Sequence, residues 1–112
     1  MELLGKNVIL RIDKPYPQAR NHIYTGKVVA YDGRLLSVDG MVFHFGRPTA
    51  EDPTGGLTTS GRAVRWIPID RIQYVVEMPK GMDPYSTAAN FRLTAEGDLQ
   101  WLASERPDLI PE

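Results

Sequence analysis

The feature that most constrains this chain is the two-residue periodicity of residues 23–45, IYTGKVVAYDGRLLSVDGMVFHF, broken only by glycine and by two Asp-Gly pairs. Strict alternation sends successive side chains to opposite faces, which is the signature of a β-strand rather than a helix. Gly26 falls inside this pattern, and a residue without a Cβ in a strand interior marks a sharp bend or a close backbone approach. Asp32-Gly33 is a tight hairpin signal, and Asp39-Gly40 repeats it. The pattern therefore predicts HIYTGKVVAYD, RLLSVD and MVFHF as three short antiparallel strands.

Before this block, NVILRI reads as a further strand, ended by DKPYPQARN, whose two prolines and Asn forbid a regular ladder. After it, residues 46–62, GRPTAEDPTGGLTTSGR, have no periodicity and form a long loop. AVRWIPIDRIQYVVEMP supplies the last strands. Pro68 cannot donate to a ladder, so it belongs at an edge or at a break, with one 3₁₀ turn at PID redirecting the chain into RIQYVVEM. Five or six short strands, tight turns and a bent second strand predict a mainly β fold, a small, strongly bent SH3-like barrel over residues 1–79.

Residues 80–112 change character. KGMDPYSTAANFR reads as a linker, and LTAEGDLQWLASERP as one short C-terminal helix. Thr94 suits its N-cap, Glu96 and Asp98 suit its positive N-terminal end, and Pro107 stops it. Its apolar stripe, Leu99, Leu102 and Ala103 with Trp101 beside it, is too narrow to form a core alone. The helix is expected to dock on its own barrel or on a neighbouring subunit.

Length and charge limit what such a fold can do. With 112 residues the chain holds one core and a tail. Thirteen basic against fourteen acidic residues give a net charge of -1, which removes the broad attraction a general nucleic-acid coat relies on, so any such contact is local. The absence of cysteine excludes disulfides and thiolate chemistry and fits a reducing compartment. No run approaches a membrane span, and MELLGKNVILRID has neither the basic flank nor the apolar run of a signal peptide. The expected location is cytoplasmic, without membrane contact.

Gly26 to Gly40, with AYDG followed by LLSVDG, resembles the first motif of the Sm-like family, and WIPIDRIQYVVEM resembles its second, in which a short strand turns directly into the closing strand. The resemblance covers residues 5–79. It implies an Sm-like barrel, a homo-oligomeric ring of roughly five to seven subunits joined edge to edge by the last two strands, and single-stranded RNA bound near the pore by the loops of the two motifs. By position, the glycine of the bent strand is Gly26 and the motif aspartate is Asp32. Four residues on, where many members carry a base-binding Asn, this chain has Leu36. Where eukaryotic members show Arg-Gly and Hfq-type members a Lys-His pair, it has Asp70-Arg71, so Arg71 is the matching phosphate candidate.

The residues themselves point to RNA in a second way. Arg47, Arg62 and Arg65 flank the long loop, and Lys14 and Arg20 accompany Tyr16 in the first loop. Guanidinium forks pair with phosphate and an exposed ring stacks on bases. The competing reading is an ordinary mixed-charge surface, since Asp13, Glu51 and Asp52 stand among them. Trp66 and Tyr74, alternating with Ile67, Ile69, Ile72 and Val76, read as core or subunit-interface aromatics.

No enzyme is expected. His22 and His44 are the only histidines, and His44 lies on the face opposite Phe43 and Phe45, as a barrel-rim residue. Asp32 and Asp39 precede glycines, where aspartate serves the turn. GGLTTSG lacks the lysine and the strand-to-helix context of a phosphate cradle. Nothing unites a nucleophile, a base and an orienting group, and no cofactor or metal is expected. The alternative to an RNA-binding ring is a protein-interaction or structural module that engages a protein partner through the long loop and the C-terminal helix.

Overall fold

The computed structural model describes residues 1–14, 19–46, 49–52, 55–94 and 99–101. The fold is mainly β. Five antiparallel strands, β1 (Asn7–Ile12), β2 (Asn21–Tyr31), β3 (Leu35–Phe45), β4 (Thr58–Pro68) and β5 (Ile72–Glu77), form one sheet in the order β4-β3-β2-β1-β5. A small hairpin, β6 (Phe91–Leu93) and β7 (Leu99–Trp101), follows. No described helix is long and apolar enough to cross a membrane.

The first Asp-Gly pair makes the expected turn. Gly33 adopts φ +94°, and the Asp32 carboxylate accepts hydrogen bonds from the backbone N–H groups of Arg34 (2.9 Å) and Leu35 (2.7 Å). The second pair makes none. β3 runs straight through Asp39-Gly40, so RLLSVD and MVFHF are one eleven-residue strand rather than two. Gly40 is there because it faces Gly26 across the ladder. A Cβ on Gly40 would collide with the Thr25 carbonyl oxygen, and one on Gly26 with that of Asp39. The two backbones therefore lie closer together at that point than any side chain allows.

Strand alternation divides the core between the two faces of the sheet. On one face Val8, Leu10, Val28, Leu36, Val38 and Ile67 are buried together. On the other, Met41 and Phe43 are covered by Met78, Met82 and Phe91 from the chain that follows β5. Thr25 Oγ1 donates to the Pro84 carbonyl (2.8 Å), and the Phe91 ring meets Phe43 edge-on at 4.9 Å. Burial on both faces is why β3 carries adjacent apolar pairs such as Leu35-Leu36 and Val42-Phe43 within its alternation.

Two expectations change at the ends of these elements. β4 begins at Thr58, so the long connection is shorter than residues 46–62; it is pinched by Gly46 N–H donating to Gly55 O (2.7 Å). Residues 99–101, expected in a helix capped by Thr94, are instead the return strand of a hairpin on Phe91–Leu93. The strong apolar anchor at Phe91 fixes this segment as a strand and outweighs the weak helical stripe. Residues 95–98 and 102–112, which carry the rest of the expected helix, lie outside the described residues.

The junction after β4 follows the sequence closely. Pro68 ends β4, Ile69–Arg71 form one 3₁₀ turn, and β5 starts at Ile72. β5 then pairs with β1, not with β4. Strands β4 and β5 are thus the two edges of the sheet, adjacent in sequence and each with a single hydrogen-bonded neighbour.

Candidate nucleic-acid interface

The tight turn between β2 and β3 and the 3₁₀ junction between β4 and β5 lie side by side, tied by Ile69 N–H donating to Arg34 O (2.9 Å). Between them opens a cleft of about 710 Å³ lined by Asp32, Gly33, Arg34, Leu35, Pro68, Ile69 and Asp70. Leu35 and Ile69 are half-buried and give it an apolar floor, while Arg34 and Asp70 stand exposed at its rim.

The polar groups of the cleft differ in availability. Asp32 is engaged by the turn: the backbone N–H groups of Arg34 and Leu35 hold its carboxyl below the usual carboxylate range. Asp70 and the guanidinium of Arg34 make no hydrogen bond or ion pair among the described residues. An apolar floor flanked by one available cation and one available carboxylate suits a planar, polar-edged ligand that carries a negative charge nearby. Leu36, at the position compared with a base-binding Asn, points into the core and is 1% exposed.

The arginines expected at an RNA surface are distributed over several places. Arg62 makes a two-pronged pair with Asp39 (3.0 and 2.8 Å) and lies 3.8 Å above the Tyr85 ring. Arg65 donates to the carbonyls of Gly40 (3.2 Å) and Gly61 (2.9 Å). Arg20 donates to those of His44 (3.3 Å) and Gly56 (2.7 Å), clasping the β3–β4 connection to the end of β3. Arg71 donates to Asp13 O (3.4 Å) and faces the β1–β2 connection. Arg47 and Tyr16 lie outside the described residues. Arg20 and Arg65 share the surroundings of His44, whereas Arg62 joins Asp39 and Tyr85, and Arg71 stands at the 3₁₀ junction. Arg34 was not singled out in the sequence; its signal was its place directly after the Asp-Gly turn.

The histidines form a pair of their own. His22 and His44 are cross-strand neighbours with rings 4.5 Å apart and nearly perpendicular, and His44 Nε2 lies 2.9 Å from Ser60 Oγ. Partial burial holds both imidazoles below the ordinary histidine range, with Arg20 adding to the effect at His22, and His22, Arg20 and Arg65 at His44. Among the described residues no three His, Cys, Asp or Glu side chains are grouped to hold a metal.

Compared with models of known protein families, with curated proteins and with solved structures, the chain matches none.

Proposed function

We propose that this chain is an Sm-like barrel whose β4 and β5 edges pair between copies to close a homo-oligomeric ring, and that single-stranded RNA runs across the cleft between the two turns. The observation that carries the reading is the arrangement of the edges: consecutive strands, separated by one three-residue 3₁₀ turn, end up on opposite sides of the sheet order. An edge strand that is left unpaired is a template for another chain. Pairing β4 of one copy with β5 of the next is a head-to-tail contact, and such a contact makes a ring when its rotation closes.

A chain of net charge -1 gains RNA affinity only through local contacts repeated around a ring. Arg34, exposed and unpaired beside the cleft, is the residue best placed to meet phosphate. The test is the solution mass by light scattering at two protein and two salt concentrations, followed by filter binding of poly-A, poly-U and duplex probes at low salt. A stable mass of roughly five to seven subunits with retention of single strands supports the reading. A monomer or dimer overturns the ring, and a ring that retains no probe overturns the RNA.

A second reading, a protein-interaction module, is favoured by one observation. Val64 and Trp66 on the β4 edge are 56% and 52% exposed, an unusual position for a large ring outside an interface. A monomer that loses a purified partner on Trp66→Ala would decide for it.

A further inference from the structure

We propose that the cleft selects guanine, read by the carboxylate of Asp70. This inference rests on the RNA-binding reading above and adds which base the site takes.

Asp70 stands where the 3₁₀ turn meets the cleft. Its side chain lines the cleft, lies exposed on the 3₁₀ turn, and makes no hydrogen bond or ion pair among the described residues. An ionised carboxylate is a pure acceptor with two parallel oxygens, so it is best satisfied by two parallel N–H donors. The Watson–Crick edge of guanine supplies them, at N1 and at the exocyclic amino group. Adenine sets its amino group beside the N1 lone pair, and cytosine sets its amino group beside N3. Uracil places one N–H between two carbonyls. Each of these three turns a lone pair toward the carboxylate, which costs rather than gains energy.

The surroundings fit the rest of a nucleotide. Leu35 and Ile69 present a half-buried apolar surface on which a base ring can lie. Arg34 on the opposite turn is free to meet the phosphate. Asp32 does not compete for the base, since one of its oxygens already accepts two backbone N–H groups. Leu36 offers no polar edge, being enclosed in the core.

The test uses the full-length protein and four fluorescein-labelled nine-nucleotide RNAs, oligo-U with G, A, C or U at the central position, titrated by anisotropy at low salt. The G probe is expected to bind roughly ten-fold more tightly than the others, within the range a two-pronged base contact provides. Asp70→Asn replaces one acceptor by a donor, and the resulting amide can meet an adjacent donor and acceptor on any of the four bases. It is expected to abolish the guanine preference and bring the four probes close to one another while the melting temperature stays unchanged. Arg34→Ala is expected to weaken all four probes alike. Equal binding of the four probes by the unaltered protein, or a guanine preference that survives Asp70→Asn, overturns the selectivity and leaves RNA binding standing. If no probe binds, the RNA reading itself falls and the selectivity falls with it.

Discussion

Adding one methyl group at Gly40 tests the central geometric claim, that β2 and β3 cross too closely for any side chain. A Cβ there would collide with the Thr25 carbonyl oxygen and stand 2.6 Å from the Gly26 Cα. Both partners are backbone atoms, so no rotamer change relieves the clash and the two strands must part. Forced overpacking costs about 1–3 kcal/mol. Strand separation also weakens neighbouring ladder bonds, worth about 0.5–1.5 kcal/mol each. Gly40→Ala is therefore expected to cost about 2–4 kcal/mol, a large share of the roughly 5–15 kcal/mol that stabilises an ordinary domain. For a chain of this size that corresponds to a fall in melting temperature on the order of 10–20 °C. The control is Gly61→Ala, whose Cβ would meet nothing within 4 Å. Both variants are melted in urea and by calorimetry beside the parent. The double variant Gly26→Ala/Gly40→Ala adds a check, since strands already parted by one methyl accept the second at lower cost and the two effects fall short of additive. If Gly40→Ala melts within a degree or two of Gly61→Ala, the two backbones do not lie too close for a side chain.

Three further outcomes are expected from the ion pair, the histidine pair and the Phe43–Phe91 contact. The Arg62 guanidinium bonded to Asp39 holds that carboxyl below its usual range, so the pair contributes stability above the ordinary aspartate value that is lost as pH falls through the depressed native value. Arg62→Ala should flatten that part of the acid limb in a series of thermal melts. The imidazoles of His22 and His44 are held low by partial burial, so the unfolded chain binds protons more readily and stability drops as pH falls below the ordinary histidine value. Melts across the neutral-to-mildly-acid range should show this decline in the parent and less of it in His44→Gln. Phe91→Ala removes a ring that is 4% exposed and packed on Phe43, and should cost about 3–5 kcal/mol by urea denaturation.

How much of this was legible depended on whether one cause acted at each position. The close backbone approach at Gly26, the Asp32-Gly33 turn and the Pro68 break could be read because a single requirement chose each residue. Asp39-Gly40 misled because two unrelated requirements produced the same dipeptide: Asp39 pairs with Arg62, and Gly40 clears the Gly26 backbone. Thr58 to Gly61 looked like loop because an edge strand with small polar residues carries no apolar alternation. The hairpin at Phe91 was hidden for the opposite reason: Phe91 is buried against Phe43, nearly fifty residues earlier, and local propensity carries no trace of that distant contact. At the cleft, the Asp32-Gly33 turn and the Pro68 break were visible as segments, but the availability of Arg34 and Asp70 depends on which neighbours they lack. Arg20, Arg62, Arg65 and Arg71 looked free in the sequence and are each bonded in the fold.

The place of β1 in the sheet bears on how the protein is made. Val8 pairs with Gly26 on one side and Glu77 on the other, so β1 keeps an open edge during synthesis until β5 has emerged. Met41 and Phe43 likewise remain bare until Met78, Met82 and Phe91 arrive to cover them. At roughly 5–20 residues per second, the stretch from Phe45 to Phe91 takes about 2–9 s to synthesise. In the earlier part of that interval, before β5 is made, the nascent chain carries an open strand edge and an uncovered apolar face together, the combination from which misassembly starts. Slower growth at low temperature prolongs that exposure even as it weakens the hydrophobic attraction that makes it harmful.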